Sequence, residues 1–349
     1  MVIMKVIWLL CISTLLLMSV VSGQFQGKQG KNPEQADEVP KTYQLRTTDD
    51  MTLFVEERGD VSNPTIIFTH GYFTSRLAWD TTFTSNRLNN YHLVRWDLRG
   101  MGDSSKDTDV DKYNNLDLYA NDVKLIVDDV LTKKGNTQNN QIFLVTWGTG
   151  SIATLSYFRN FTGDKISGYV NVGNNFQSFK EDNIFTEYSR VTIGGVVTSE
   201  TYMLILDSLK NLFNRFTSTN NPFPPSTLSF FIGIGAYAPT ESRLAYGQLD
   251  YDFTGTFTNL TIPTLSIYGD DDQIVNPEHS KSVAELRPND VVQVYPGIGH
   301  VPMWEVPERF ENDLDRWIGS IVNPKNNNKE PNETQPKQPN KPKQPKRRR

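Results

Sequence analysis

The chain is built for an α/β fold: a mostly parallel sheet flanked by helices and carrying an inserted helical cap. Short apolar strands alternate with helices of 3.6-residue apolar period, which is the pattern of a parallel sheet. The strands end in loops that hold glycines, histidines and aspartates, the arrangement expected where functional loops gather at the carboxyl edge. The alternation lapses from about 174 to 259 and then resumes, which marks an insertion.

Taken in order, Thr42 to Arg46 and Met51 to Glu56 flank Thr48-Asp49-Asp50 and read as a hairpin. Thr65-Ile66-Ile67-Phe68-Thr69, Tyr91 to Trp96 and Gln141 to Val145 read as buried strands. Val123, Ile126, Val127, Val130 and Leu131 share one helical face before Gly135 stops the helix. A helix carrying Ile152, Leu155 and Phe158 follows Gly150, and the segment Ile166 to Val172 is the next strand. In the cap, Ile205, Leu209, Leu212, Phe213 and Phe216 form one helical face, and Pro222, Pro224 and Pro225 are expected to break the stretch after it. Strands at Pro263 to Tyr268 and Val291 to Tyr295 lead to a last helix with Phe310, Leu314, Trp317, Ile318 and Ile321.

Outside this body the two ends differ in kind. Lys5, an apolar run from Val6 to Val21 and a small-residue ending at Gly23 predict a secretory signal peptide over 1–23. The competing reading is an uncleaved anchor, because Val6 to Ser22 is near the lower limit for a bilayer span. Residues 24–40 read as a flexible leader, 41–322 as the domain and 323–349 as a disordered basic tail rich in Lys and Pro. The single cysteine, Cys11, falls in the signal segment, so the mature protein has no disulfide or thiolate site. Sequons at Asn160, Asn259 and Asn332 fit an exported glycoprotein.

The formal charge of −5 conceals an asymmetry. Residues 324–349 hold nine Lys and Arg against Glu330 and Glu333, a net +7. Setting that tail and Lys5 aside leaves −13 on the remainder. An acidic, exported body excludes nucleic acid as a partner, while the tail suits an anionic surface or polysaccharide or serves only for solubility. No membrane span is expected once the signal is removed. Nothing in the sequence supports a metal or an organic cofactor.

The chemistry-bearing residues fall at the strand ends: His70-Gly71-Tyr72-Phe73, then Asp97 to Ser104, then Thr146-Trp147-Gly148-Thr149-Gly150, then Gly269-Asp270-Asp271-Asp272, and finally Gly297-Ile298-Gly299-His300. In this set and order the chain resembles the α/β-hydrolase superfamily, on its esterase, lipase, epoxide hydrolase and haloperoxidase-like side. The resemblance covers about residues 42–322, apart from most of the cap. The superfamily's chain order is nucleophile, acid, histidine. It implies that Gly148 occupies the nucleophile position, Asp272 is the acid and His300 is the general base. It also implies an oxyanion hole made by the backbone N–H of Tyr72 or Phe73 together with that of Thr149. Arg99 and Asp103 read as loop-bracing charges, and Asp270 and Asp271 as solvated ones.

Gly148 departs from the elbow pattern Gly-x-Ser-x-Gly, as does Thr146 at the pattern's first glycine. The Thr149 side chain is expected to point away from the histidine and Ser151 to lie inside the following helix, so neither replaces the missing hydroxyl. The favoured expectation is an exported pseudoenzyme whose capped pocket holds an apolar or aromatic small molecule, or whose surface holds a partner. The alternative is an active enzyme in which the His300–Asp272 dyad activates a water against an ester, or abstracts a substrate proton as lyases and cofactor-free oxygenases do.

Overall fold

A computed structural model describes residues 39–135, 141–173, 175–178 and 184–324. The expected signal peptide, most of the leader, the basic tail beyond residue 324 and the Asn332 sequon lie outside the described residues.

Eight strands form one sheet: β1 (Lys41–Arg46), β2 (Thr52–Arg58), β3 (Thr65–Thr69), β4 (His92–Trp96), β5 (Ile142–Trp147), β6 (Gly168–Val172), β7 (Thr264–Gly269) and β8 (Val291–Tyr295). Their spatial order is β1-β2-β4-β3-β5-β6-β7-β8. The β1–β2 hairpin is antiparallel and joins the edge of β4 antiparallel, and every other pairing is parallel. Every residue of β3, β4, β5, β6 and β7 is buried, so these strands are covered on both faces and read as continuous apolar runs rather than alternating ones.

The helix Leu116–Lys133 begins at Asn115, whose side chain accepts from the Asp117 N–H, and it packs against the helix Ser151–Asn160. The last helix, Pro307–Val322, buries Phe310, Leu314, Trp317 and Ile318 as its spacing predicted. Between β6 and β7 lie Glu187–Thr198, Tyr202–Phe213, Pro225–Gly235, Thr240–Gln248 and the short Thr254–Thr258, so the inserted segment is helical.

Two details of that insertion differ from expectation. Pro225 starts a helix rather than breaking one, since a first-turn proline lacks only an N–H that has no intrahelical partner. Phe216 lies beyond the end of Tyr202–Phe213, and its carbonyl accepts from the His300 N–H at 2.7 Å. It is therefore a tie between cap and sheet edge, not one more residue of a helical face.

Candidate functional site

β5 sits mid-sheet, and the chain turns sharply at its carboxyl end into Ser151–Asn160. Gly148, at that turn, has φ +55, a conformation that strains any residue with a β-carbon. A β-carbon built there would lie 3.2 Å from His300 Nε2. Beneath the turn, the buried hydroxyls of Thr146 and Thr154 meet at 2.9 Å and occupy space that a glycine at 146 would leave open.

His300 arrives from the loop after β8. Asp272 comes from the loop after β7, and its Oδ2 lies 2.8 Å from His300 Nδ1. The Asp272 Oδ1 accepts from the N–H groups of Ile274 at 2.8 Å and Val275 at 3.0 Å, which fixes the carboxylate. Both side chains are buried. A carboxylate facing Nδ1 holds the proton on that nitrogen, so Nε2 is left as an acceptor facing Gly148. The two loops can approach because Gly269 has no side chain; a β-carbon there would sit 1.9 Å from the Ile298 carbonyl oxygen. The imidazole lies against the rings of Trp147 and Phe216, and the indole N–H of Trp147 donates to the His300 carbonyl at 2.9 Å.

On the opposite side stands the loop after β3. His70 is fully buried; its Nε2 accepts from the Leu98 N–H at 3.0 Å and its Nδ1 donates to the Gly71 carbonyl at 2.7 Å. Burial pushes its pKa down to about 4, so it is a neutral brace between two loops. Phe73 has φ +58 although it carries a bulky side chain, which is a strained backbone position beside the site. The Tyr72 N–H donates to Thr149 Oγ1 at 2.6 Å. The Thr149 oxygen thus accepts from the loop after β3, and its own hydroxyl proton stays available. Ser151 is the first residue of its helix, and its hydroxyl donates to the Asn175 carbonyl at 2.9 Å.

The cavity over Gly148 and His300 is narrow, with about 30 Å³ open to the centre of a water molecule, and its whole empty space, open mouth included, is about 410 Å³. Its walls are mostly apolar: Tyr72, Phe73 and Trp147 from the sheet edge, with Phe216, Leu212 and Tyr246 from the cap. Tyr72 and Tyr246 stack with ring centroids 4.6 Å apart. Among the described residues no group of three or more His, Cys, Asp or Glu is placed to hold a metal ion.

The charges read as braces do brace. The Arg99 guanidinium is buried with Asp122, Nε to Oδ2 at 2.6 Å and Nη2 to Oδ1 at 2.7 Å, and reaches Asp49 at 3.1 Å. Asp103 pairs with Arg76 at 2.8 Å. Asp270 and Asp271 are more than solvated charges, because Asp270 accepts from the Gly297 N–H and Asp271 from the Thr219 N–H at 2.7 Å.

Sequence reasoning missed Asn175 and Glu305. Asn175 is fully buried in the cavity wall just past β6. Glu305 accepts from the N–H groups of Gly299 at 2.7 Å and Ser218 at 2.9 Å, joining the His300 loop to the cap. Only the position of Asn175 behind a strand end hinted at a role. Asn160 and Asn259 are both exposed, and the Asn160 amide donates to Asp117 at 2.8 Å.

A family model described as the alpha/beta hydrolase fold matches residues 64–307. A bifunctional esterase/perhydrolase of Acinetobacter calcoaceticus is 26% identical over 290 residues, spanning 79% of this chain and 99% of the relative. A non-heme haloperoxidase of Rhodococcus erythropolis is 25% identical over 266 residues, spanning 73% of this chain and 92% of its own. Among solved structures, an esterase from Rhodococcus sp. ECU1013 superposes with a TM-score of 0.72 at 21% identity, covering 80% of this chain and 99% of that one, a likeness of fold.

Proposed function

Because this chain belongs to the α/β-hydrolase fold family, we propose that it is a hydrolase scaffold without the hydrolase nucleophile, with Gly148 standing where the family's elbow carries serine. In this reading the cavity under the cap binds a small, largely apolar or aromatic molecule and forms no acyl-enzyme. The observation that carries it is the geometry at Gly148: φ is +55, and the absent β-carbon would lie 3.2 Å from His300 Nε2. The position faces the general base, and it offers no atom to attack a carbonyl. Loss of such a nucleophile costs on the order of 10⁶ in turnover, leaving about 10³–10⁴ over water.

The 2.8 Å contact between His300 and Asp272 supports a second reading. A buried, oriented imidazole with Nε2 free to accept a proton is competent as a general base toward water or a substrate C–H or O–H. The matched esterase/perhydrolase fits an ester as the substrate of such an enzyme.

Hydrolysis of short and long aryl esters by the wild type, Gly148→Ser and His300→Ala separates the two. An inert wild type, with His300-dependent activity appearing in Gly148→Ser, supports the binding role. Wild-type turnover that His300→Ala abolishes overturns it and installs the dyad enzyme.

Export belongs to the same proposal. The apolar run before Gly23 supports a signal cleaved there, and the exposure of Asn160 and Asn259 supports their use as glycan acceptors. The basic tail would then act outside the cell, held to an anionic surface or polysaccharide. A protein retained in the cytosol with an intact amino terminus overturns this part.

A further inference from the structure

We infer that the ligand of this pocket carries a hydrogen-bond donor, as a secondary amide or an alcohol does and a simple ester does not, and that Asn175 reads it. This inference rests on the pocket-binding reading above and specifies the chemistry of its ligand.

Three observations converge on it. The first is that the Tyr72 N–H, which with Phe73 was one of the alternatives expected to join Thr149 around a carbonyl, is already spent, since it donates to Thr149 Oγ1 at 2.6 Å. A ligand carbonyl keeps the Thr149 N–H and hydroxyl as donors, but must displace the threonine to reach Tyr72. The second is that His300 Nδ1 is engaged by Asp272, which leaves Nε2 as an acceptor on the cavity side. The third is Asn175, which lines the cavity, is 0% exposed, and has no partner for its Oδ1.

The orientation of that amide is fixed by its surroundings. Its Nδ2 donates to the Gln177 carbonyl at 3.1 Å and to the Tyr251 hydroxyl at 2.9 Å. Turning the amide over would place Oδ1 against the Gln177 carbonyl, two acceptors face to face. Oδ1 therefore keeps its place, and a buried acceptor without a partner is costly enough to call for a ligand group that satisfies it. The cavity wall thus holds two acceptors, His300 Nε2 and, buried beneath the wall's surface, Asn175 Oδ1, among aromatic and aliphatic side chains. An ester supplies only acceptors of its own. A secondary amide supplies one acceptor and one donor, and a hydroxyl supplies both at one atom.

Acetanilide, N-methylacetanilide and phenyl acetate test this directly on the full-length wild type, with affinity read by calorimetry. The three share a ring and an acetyl group, and only acetanilide carries an N–H. Acetanilide is expected to bind about tenfold more tightly than either of the others, because only it pairs the buried acceptor. In Asn175→Leu that preference should collapse, and in Thr149→Ala phenyl acetate should gain affinity as the Tyr72 N–H is released. Equal affinity for the three in the wild type, or a preference for phenyl acetate, overturns the inference while leaving the pocket reading standing. Failure of the folded wild type to bind any of them, checked by its thermal melt, overturns both.

Discussion

The β-carbon that Gly148 lacks would fall 3.2 Å from His300 Nε2, closer than such a carbon ordinarily sits to a ring nitrogen. A serine there needs the imidazole to give by a few tenths of an ångström, and it must also accept φ +55. Gly148→Ser is therefore expected to lose stability by about 1–3 kcal/mol. Gly148→Ala carries the same strain without a hydroxyl. Equal thermal melts for the two, with His300-dependent hydrolysis in the serine variant only, would identify the elbow as intact. Higher stability in either variant than in the wild type would mean that the turn is not strained for side chains.

The pair Arg99 and Asp122 is predicted to be the most sensitive ionic contact away from the site. Both side chains are 1% exposed and meet through two hydrogen bonds. Asp122→Ala leaves a buried guanidinium with only Asp49 and backbone carbonyls as acceptors. Breaking a buried pair in this way costs about 3–5 kcal/mol. Urea unfolding measures it, and a loss below about 1 kcal/mol would mean that Asp49 compensates by itself.

Acid should weaken the hairpin side of the sheet. Burial alone would raise the Glu57 carboxyl, but hydrogen bonds and charges from His92 and Lys133 outweigh it and hold the pKa near about 2. Asp49 is likewise held at about 2: burial opposes the shift, while a hydrogen bond from Thr47 and the contacts with Arg99 carry it down. A carboxyl depressed in the fold stabilises it above the ordinary carboxylate pKa, and that stabilisation is lost as pH falls toward the folded value. Stability should drop between about pH 4 and pH 2, with a shallower slope in Glu57→Gln. Identical slopes for wild type and variant across that window would remove Glu57 from the account.

Much of this was legible in the chain, and the reason differs by element. β3 and β5 were readable because strands covered on both faces are uninterrupted apolar runs, whereas His300 and Asp272 were named from the resemblance of the loops after β8 and β7 to those of the superfamily. Gly148 stood out only against the superfamily's elbow pattern, which carries a serine at that position. What escaped were contacts between distant segments. Nothing in Phe216-Thr217-Ser218 announces that its backbone will bind the His300 loop, and nothing in Thr149 announces a bond to Tyr72 across 77 positions. Asn175 gave no more than its place behind a strand end, since an asparagine there is ordinary until its oxygen is found buried without a partner.

Glu305 should prove to be the residue through which the cap positions His300. Its two carboxylate oxygens accept separately, one from Gly299, next to His300, and the other from Ser218 in the cap. Burial pushes its pKa up and those N–H bonds pull it back, so the carboxylate depends on both donors. Glu305→Gln keeps the shape but offers only one acceptor atom, and its NH₂ must face the other N–H. One of the two links is then lost, at a cost of about 1–3 kcal/mol. Placed in the Gly148→Ser background, the same change should lower kcat for aryl esters more than it raises KM, because the histidine loop loses its tether while the apolar walls are untouched. Glu305→Ala should lower kcat further, since it removes both links. A variant with normal kcat and a lowered melting temperature would show that Glu305 serves the stability of the fold and that the backbone bond from His300 to Phe216 is enough to place the imidazole.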